Sequence, residues 1–153
     1  VNKFVVVTLM ASAISFVGCA SNEPSTHYPI SREHGSELLQ KRTWVLTHLG
    51  STRTQLKATD NKPSLSFDQS TNRFSGSDGC NRIMGTYKAT EQSLLFSAVA
   101  GTQMMCQENQ QLSANYKQAL SKVSRYKASG HHLTLLDAQG TTLLRFESTV
   151  QPR

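Results

Sequence analysis

Leu112-Ser113-Ala114-Asn115-Tyr116-Lys117-Gln118-Ala119-Leu120-Ser121-Lys122-Val123 is the stretch whose period decides the fold class. Leu112, Tyr116, Ala119, Leu120 and Val123 in it fall at i, i+4, i+7, i+8 and i+11, one face of an α-helix. Lys117, Gln118, Ser121 and Lys122 lie off that face. The spacing predicts an amphipathic helix over 109–124. On both sides of it the period is that of strands. Upstream stand Trp44-Val45-Leu46-Thr47-His48-Leu49 closed by Gly50, then Leu65-Ser66-Phe67, and Phe74-Ser75 after the polar turn 68–72. Ile83 to Ala89, with Met84 and Tyr87, and the short run Leu94-Leu95-Phe96 follow. Downstream of Gly130, Leu133, Leu135 and Leu136 lead through the turn Asp137-Ala138-Gln139-Gly140 to Leu143-Leu144-Arg145-Phe146, a hairpin. Many short strands with one inserted amphipathic helix predict an α+β fold, mainly antiparallel β, as a curled sheet or cracked barrel.

The chain has 153 residues, 37% apolar and 17% charged, with a formal charge of +6, enough for one domain with a core. No apolar run reaches the ~20 residues of a membrane-spanning helix. The basic residues are scattered, with Lys41-Arg42 an adjacent pair, so no nucleic-acid-binding stripe is legible. The start of the chain differs from the rest. Lys3 is its single charge through residue 18, and an apolar stretch leads to Phe16-Val17-Gly18-Cys19-Ala20-Ser21. A basic start, a short apolar segment and a small-residue exit describe a secretory signal. The small residue before Cys19 makes it similar to a bacterial lipoprotein signal, with Phe16 where Leu is usual. Residues 1–18 are therefore expected to be removed. The Cys19 thiol would take a diacylglycerol, and its new amino group an acyl chain such as palmitate. Residues 19–36, polar and carrying Pro24 and Pro29, would form a tether, with His27 and His34 chemically idle. Neither Ala20 nor Ser21 is acidic, which points to the outer membrane, with the domain facing the periplasm.

Cys80 and Cys106 remain, and in an exported chain an even pair reads as a disulfide. A loop of this size is worth about 3.5 kcal/mol in the chain-entropy model. Two other readings stand beside it. Cys80 could be a nucleophile with His131 or His132 as base. The cysteines and that histidine pair could instead hold a metal, although neighbouring strand residues point to opposite faces. The known catalytic motifs are not found. Gly76-Ser77-Asp78-Gly79 is not a nucleophile elbow, no His-Glu-x-x-His or phosphate loop occurs, and Asp78 has no evident carboxylate partner. The chain is expected to be no enzyme and to use neither cofactor nor metal.

The chain resembles the META-domain family, to which HslJ-like heat-shock proteins belong. The likeness is carried by Trp44-Val45-Leu46, Leu65-Ser66-Phe67, Phe74-Ser75-Gly76 and Gly79-Cys80-Asn81-Arg82 with Gly85 and Tyr87. It continues through Leu94 to Phe96, Thr102-Gln103-Met104-Met105-Cys106, Leu133-Thr134-Leu135 and Leu144 to Phe146. The resemblance implies a domain over 37–148, antiparallel β with a helix, similar to the cracked barrels of some type III secretion pilot lipoproteins. It also implies a link to stress response and novobiocin tolerance, and it brings no catalytic residues. Within it, Gly76, Gly79 and Gly85 are expected to supply backbone angles closed to other residues. Asn81 is expected to fix the bend beside Cys80. Trp44 should anchor the core, and Met104 and Met105 should pack in the core or at an edge. If the disulfide joins the segments 77–82 and 102–105, Asp78, Asn81, Arg82, Thr102 and Met104 would form a recognition rim. The expected role is a non-catalytic envelope binding module, whose partner is an envelope protein met by strand addition or edge covering. The alternatives are an apolar or lipid-like ligand held in the barrel mouth, or a pilot-like chaperone. No nucleic-acid partner is expected. Whether the barrel is filled or hollow separates the ligand reading from the others.

Overall fold

The computed structural model describes residues 35–40, 42–56, 61–106 and 108–148. The leader, Cys19 and nearly all of the expected tether lie outside the described residues. The elements are α1 (Gly35–Leu39), β1 (Thr43–Leu49), β2 (Thr52–Arg53), β3 (Ser64–Asp68), β4 (Arg73–Ser77), β5 (Arg82–Ala89) and β6 (Leu94–Gly101). They continue with α2 (Gln110–Lys122), β7 (Arg125–Ser129), β8 (His132–Leu136) and β9 (Thr142–Ser148).

The strands form one antiparallel sheet in the order β6-β5-β4-β3-β1-β9-β8-β7, with β2 paired to β1. Two meanders, β3 to β6 and β7 to β9, are thus joined through β1, which pairs with β3 on one side and β9 on the other. The sheet curls until its outermost strands meet at one end. There Ser93 bridges Arg125, the Leu94 amide donates to Ser124 O at 3.1 Å and the Tyr126 amide to Gln92 O at 3.1 Å. The Tyr126 hydroxyl adds a bond to Thr90 O at 2.7 Å. The result is the curled, incompletely closed half-barrel that the strand pattern predicts, with α2 following β6 in the chain and packed against β9.

Alternation along the strands turns one set of side chains inward. Trp44, Leu46, Leu65, Phe67, Phe74, Ile83, Tyr87, Leu133, Leu135, Leu144 and Phe146 are all buried in one cluster. Tyr116 and Leu120 of α2 enter the same cluster. The Tyr116 ring meets Phe146 edge-on at 6.3 Å, and its hydroxyl reaches Ser64 O at 3.4 Å. The inward face is therefore filled by side chains. Trp44 is fully buried, and its indole donates to Leu39 O at 3.0 Å, which ties α1 to β1. α1 was not legible in the pattern, and it begins two residues before the expected start of the domain. It is only five residues long and is held by the burial of Leu38 and Leu39.

Two of the three family glycines work by closeness rather than by backbone angle. Neither Gly76 nor Gly85 is among the residues with positive φ, whereas Gly79 has φ 94°. A Cβ on Gly76 would lie 1.9 Å from Ser64 O, and one on Gly85 would meet the Phe74 ring at 2.6 Å and Ser97 O at 2.7 Å. Gly85 faces the bulge in β6, where Ala98 takes φ 50°.

Candidate binding site at the disulfide

The turn from β4 to β5 is built by one buried carboxylate. Asp78 Oδ1 accepts from the amides of Cys80 at 2.8 Å and Asn81 at 2.6 Å, while the Asp78 amide donates to Asn81 O at 3.0 Å. This is an aspartate turn, favoured because a short acceptor side chain reaches the amides just ahead of it. Oδ2 faces the ammonium of Lys117 on α2 at 3.4 Å, with Asp78 wholly buried and Lys117 half exposed. Burial pushes the carboxyl pKa up, but the Asn81 amide, the Ser113 hydroxyl, the Cys80 amide and Lys117 outweigh it and hold it below the ordinary value.

Asn81 turns the other way and captures the chain that leaves β6. Its Oδ1 accepts from the Met104 amide at 2.6 Å and from the Thr102 hydroxyl at 3.2 Å. The same hydroxyl accepts from the Arg82 amide at 3.2 Å, and the Thr102 amide donates to Arg82 O at 3.0 Å. Cys80 is bonded to Cys106 with Cα atoms 5.8 Å apart. Residues 102–106 are thus fixed to the turn through Thr102, Met104 and Cys106.

The structure brings all the proposed rim residues together but divides them in kind. Asp78 and Asn81 are buried, with their polar atoms directed into the turn and the 102–104 backbone. Arg82, Thr102 and Met104 face solvent. Met104 and Met105 do not pack in the core or at an edge, as the sequence suggested: they are 64% and 98% exposed. The reason is that residues 102–106 are not a strand, so alternation does not turn either side chain inward. A crevice of about 300 Å³ opens beside them, lined by Asn81, Thr102, Met104, Cys106, Ser113 and Lys117. Val99 and Met84, 45% and 46% exposed, lie on the two strands that lead to it.

Ser113 and Lys117 are the site residues that sequence reading missed. Their only signal is the polar i, i+4 pair beside Tyr116 on α2, which is indistinguishable from an ordinary solvated face. The sulfur of Cys80 is taken by the disulfide, so neither the nucleophile nor the thiolate-metal reading has a free thiol. His131 Nδ1 lies 3.1 Å from the Ser148 hydroxyl, and His132 lies 3.9 Å from Glu147 on β9.

Fold and site together define a helix-plugged, incompletely closed antiparallel half-barrel whose crosslink pins an exposed methionine segment. The chain belongs to the META domain family, whose profile matches residues 37–150. Among solved structures, it is similar to a protein from Burkholderia xenovorans determined by NMR, at 27% identity with a TM-score of 0.62, covering 76% of this chain and 88% of that one. A second NMR structure matches at 28% identity and a TM-score of 0.57, covering 72% of this chain and 92% of that one. A DUF4847-family protein from Bacteroides vulgatus matches at 16% identity and a TM-score of 0.55, over 76% of this chain and 99% of that one, a likeness of fold. No curated protein matches the chain.

Proposed function

We propose that the protein is a non-catalytic, lipid-anchored module of the outer membrane that binds an apolar segment of an envelope partner protein through its methionine loop. The stress-related role implied by the family resemblance is one form of this reading, and the pilot-like chaperone role is the alternative to it. The observation that carries it is the presentation of Met104 and Met105. Methionine is adaptable and polarizable, and it suits surfaces that accept varied apolar partners. Here two adjacent methionines are held outward by the crosslink and by Asn81, so the segment loses little freedom when it binds. A ligand held inside the barrel has less support, because the inward face is filled by Trp44, Tyr116 and Phe146. Support for a non-catalytic role comes from Asp78, which is buried and committed to the turn, and from Cys80, which is oxidised.

The test places a photo-crosslinking residue at position 105 in cells, with position 139 in the β8–β9 turn as the control. A discrete adduct at 105 that disappears when Cys80 and Cys106 are both replaced by Ala is the expected result. Equal labelling at both positions would sink the methionine-loop reading. The anchor has its own test: labelled fatty acid should enter the protein, and Cys19→Ser should abolish the label.

A further inference from the structure

The basic residues that lie scattered in the sequence are gathered by the sheet register. Lys127 on β7 pairs with Thr134 on β8, Thr134 with Arg145 on β9, Arg145 with His48 on β1, and His48 with Arg53 on β2. Residues directly opposite one another across antiparallel strands share a face. Lys127, Arg145 and Arg53 are exposed, while Tyr126, Leu133 and Leu144 point into the core, so the row lies on the outer surface. A crevice of about 440 Å³ runs along the part of it from Lys127 to His48, with Thr47, His48, Lys127, Thr134, Arg145 and Glu147 in its lining.

The cations stand on alternate strands. Thr134 separates Lys127 from Arg145, and His48 separates Arg145 from Arg53, which avoids like charges directly opposite. Adjacent strands are ~4.8 Å apart, so neighbouring cations of the row stand about 10 Å apart along the curled sheet. Arg125, two residues before Lys127 on β7, is exposed and adds a fourth cation in the neighbouring row. Glu147 is the acid in the crevice, and it stands opposite His132 at 3.9 Å. Among the described residues, Lys127, Arg145 and Arg53 have no carboxylate within ion-pair distance.

We propose that this outer face of β2-β1-β9-β8-β7 lies against a membrane surface and binds the phosphates of anionic lipid headgroups. The spacing selects a surface over a small anion. Cations about 10 Å apart round the outward curve of the sheet do not converge on one phosphate, but neighbours such as Lys127 and Arg145 can each meet its own on a surface that repeats them. Each basic residue near an anionic bilayer strengthens binding by about fivefold, so the row alone holds a free domain weakly. It is sufficient to orient a domain already tethered there. The inference rests on the membrane-anchored reading above, and it adds which face of the domain meets the lipid.

The test uses the full chain carrying Cys19→Ser, so that no acyl chain contributes, and vesicles of pure phosphatidylglycerol or pure phosphatidylcholine. The readout is the ratio of binding to the two, in which an apolar segment with no charge preference cancels. The unmodified row should favour phosphatidylglycerol, and added salt should weaken that preference. Lys127→Ala with Arg145→Ala should lower the ratio roughly thirtyfold. Arg73→Ala with Lys88→Ala, an equal loss of charge on β4 and β5, should change it far less. All four positions are exposed, and circular dichroism checks that each variant is folded. Equal losses from the two pairs would reduce the effect to net charge and overturn the proposal. Displacement by inorganic phosphate well beyond chloride of the same ionic strength would make the row a small-anion pocket, which also overturns it. Failure of fatty-acid labelling removes the anchor and leaves the vesicle result unchanged; failure of the vesicle test leaves the anchor standing.

Discussion

Asp78 is where one side chain sets the local chain path. Its carboxylate accepts two amides and faces Lys117 from a fully buried position, and its pKa lies below the ordinary value. A depressed carboxyl stabilises the fold fully above its unfolded pKa, and that stability is lost as pH falls through the folded pKa. Stability should therefore decline in acid, from about the ordinary carboxylate value downward. Asp78→Asn keeps an acceptor but loses the charge on these bonds, and at neutral pH it should cost about 1–2 kcal/mol. The gap between the two proteins should close as pH falls below the ordinary carboxylate range. Urea unfolding at a series of pH values measures this. A gap that stays constant into strong acid would mean that the ionised form of Asp78 adds nothing.

Helix α2 acts through its apolar face. Tyr116 is fully buried and meets Phe146 edge-on, while its hydroxyl makes only a long bond to Ser64 O. Tyr116→Ala should cost about 3–5 kcal/mol, and Tyr116→Phe no more than about 1 kcal/mol. Denaturant melts of both variants check the difference, and similar costs would show that the hydroxyl matters as much as the ring. The same face made α2 legible, because Leu112, Tyr116, Ala119 and Leu120 lie on one side at helical spacing. β1 was legible as an apolar run closed by Gly50, β3 from its alternation, and β8 from Leu133, Leu135 and Leu136 after Gly130. β7 was not, since Arg125-Tyr126-Lys127-Ala128-Ser129 has one large apolar residue and its place depends on pairing with β8. The far half of β6 was hidden for a different reason: the bulge at Ala98 breaks the alternation and leaves residues 97–101 exposed. At the site, the Cys80 and Cys106 segments could be paired from the sequence, but the outward turn of Met104 and Met105 could not. It depends on Asn81 taking the Met104 amide. The basic row was illegible because register, not spacing along the chain, brings Lys127, Arg145 and Arg53 together.

At the scale of the molecule, the crosslink ties the first meander to the connection that leads into the second. Cys80 sits in the turn between β4 and β5, and Cys106 lies just before α2, which leads into the second meander. The bond closes a loop with a sequence separation of 26, worth about 3.5 kcal/mol in the chain-entropy model. That is a large part of the ~5–15 kcal/mol that holds a domain of this kind. The meanders also share β1 between them and the residues that α2 inserts into the core, so they should not separate when the bond is lost. Cys80→Ala with Cys106→Ala should lower the unfolding free energy by about 3 kcal/mol. The unfolding should remain a single transition. Trp44, the only tryptophan, lies in β1 at the junction, so its fluorescence reports the joint while far-ultraviolet circular dichroism reports the whole sheet. Coincident urea curves from the two probes are the expected outcome. If the Trp44 signal changes well before the circular dichroism, the meanders part at β1 without the crosslink, and the disulfide, rather than the shared core, is what makes the half-barrel one cooperative unit.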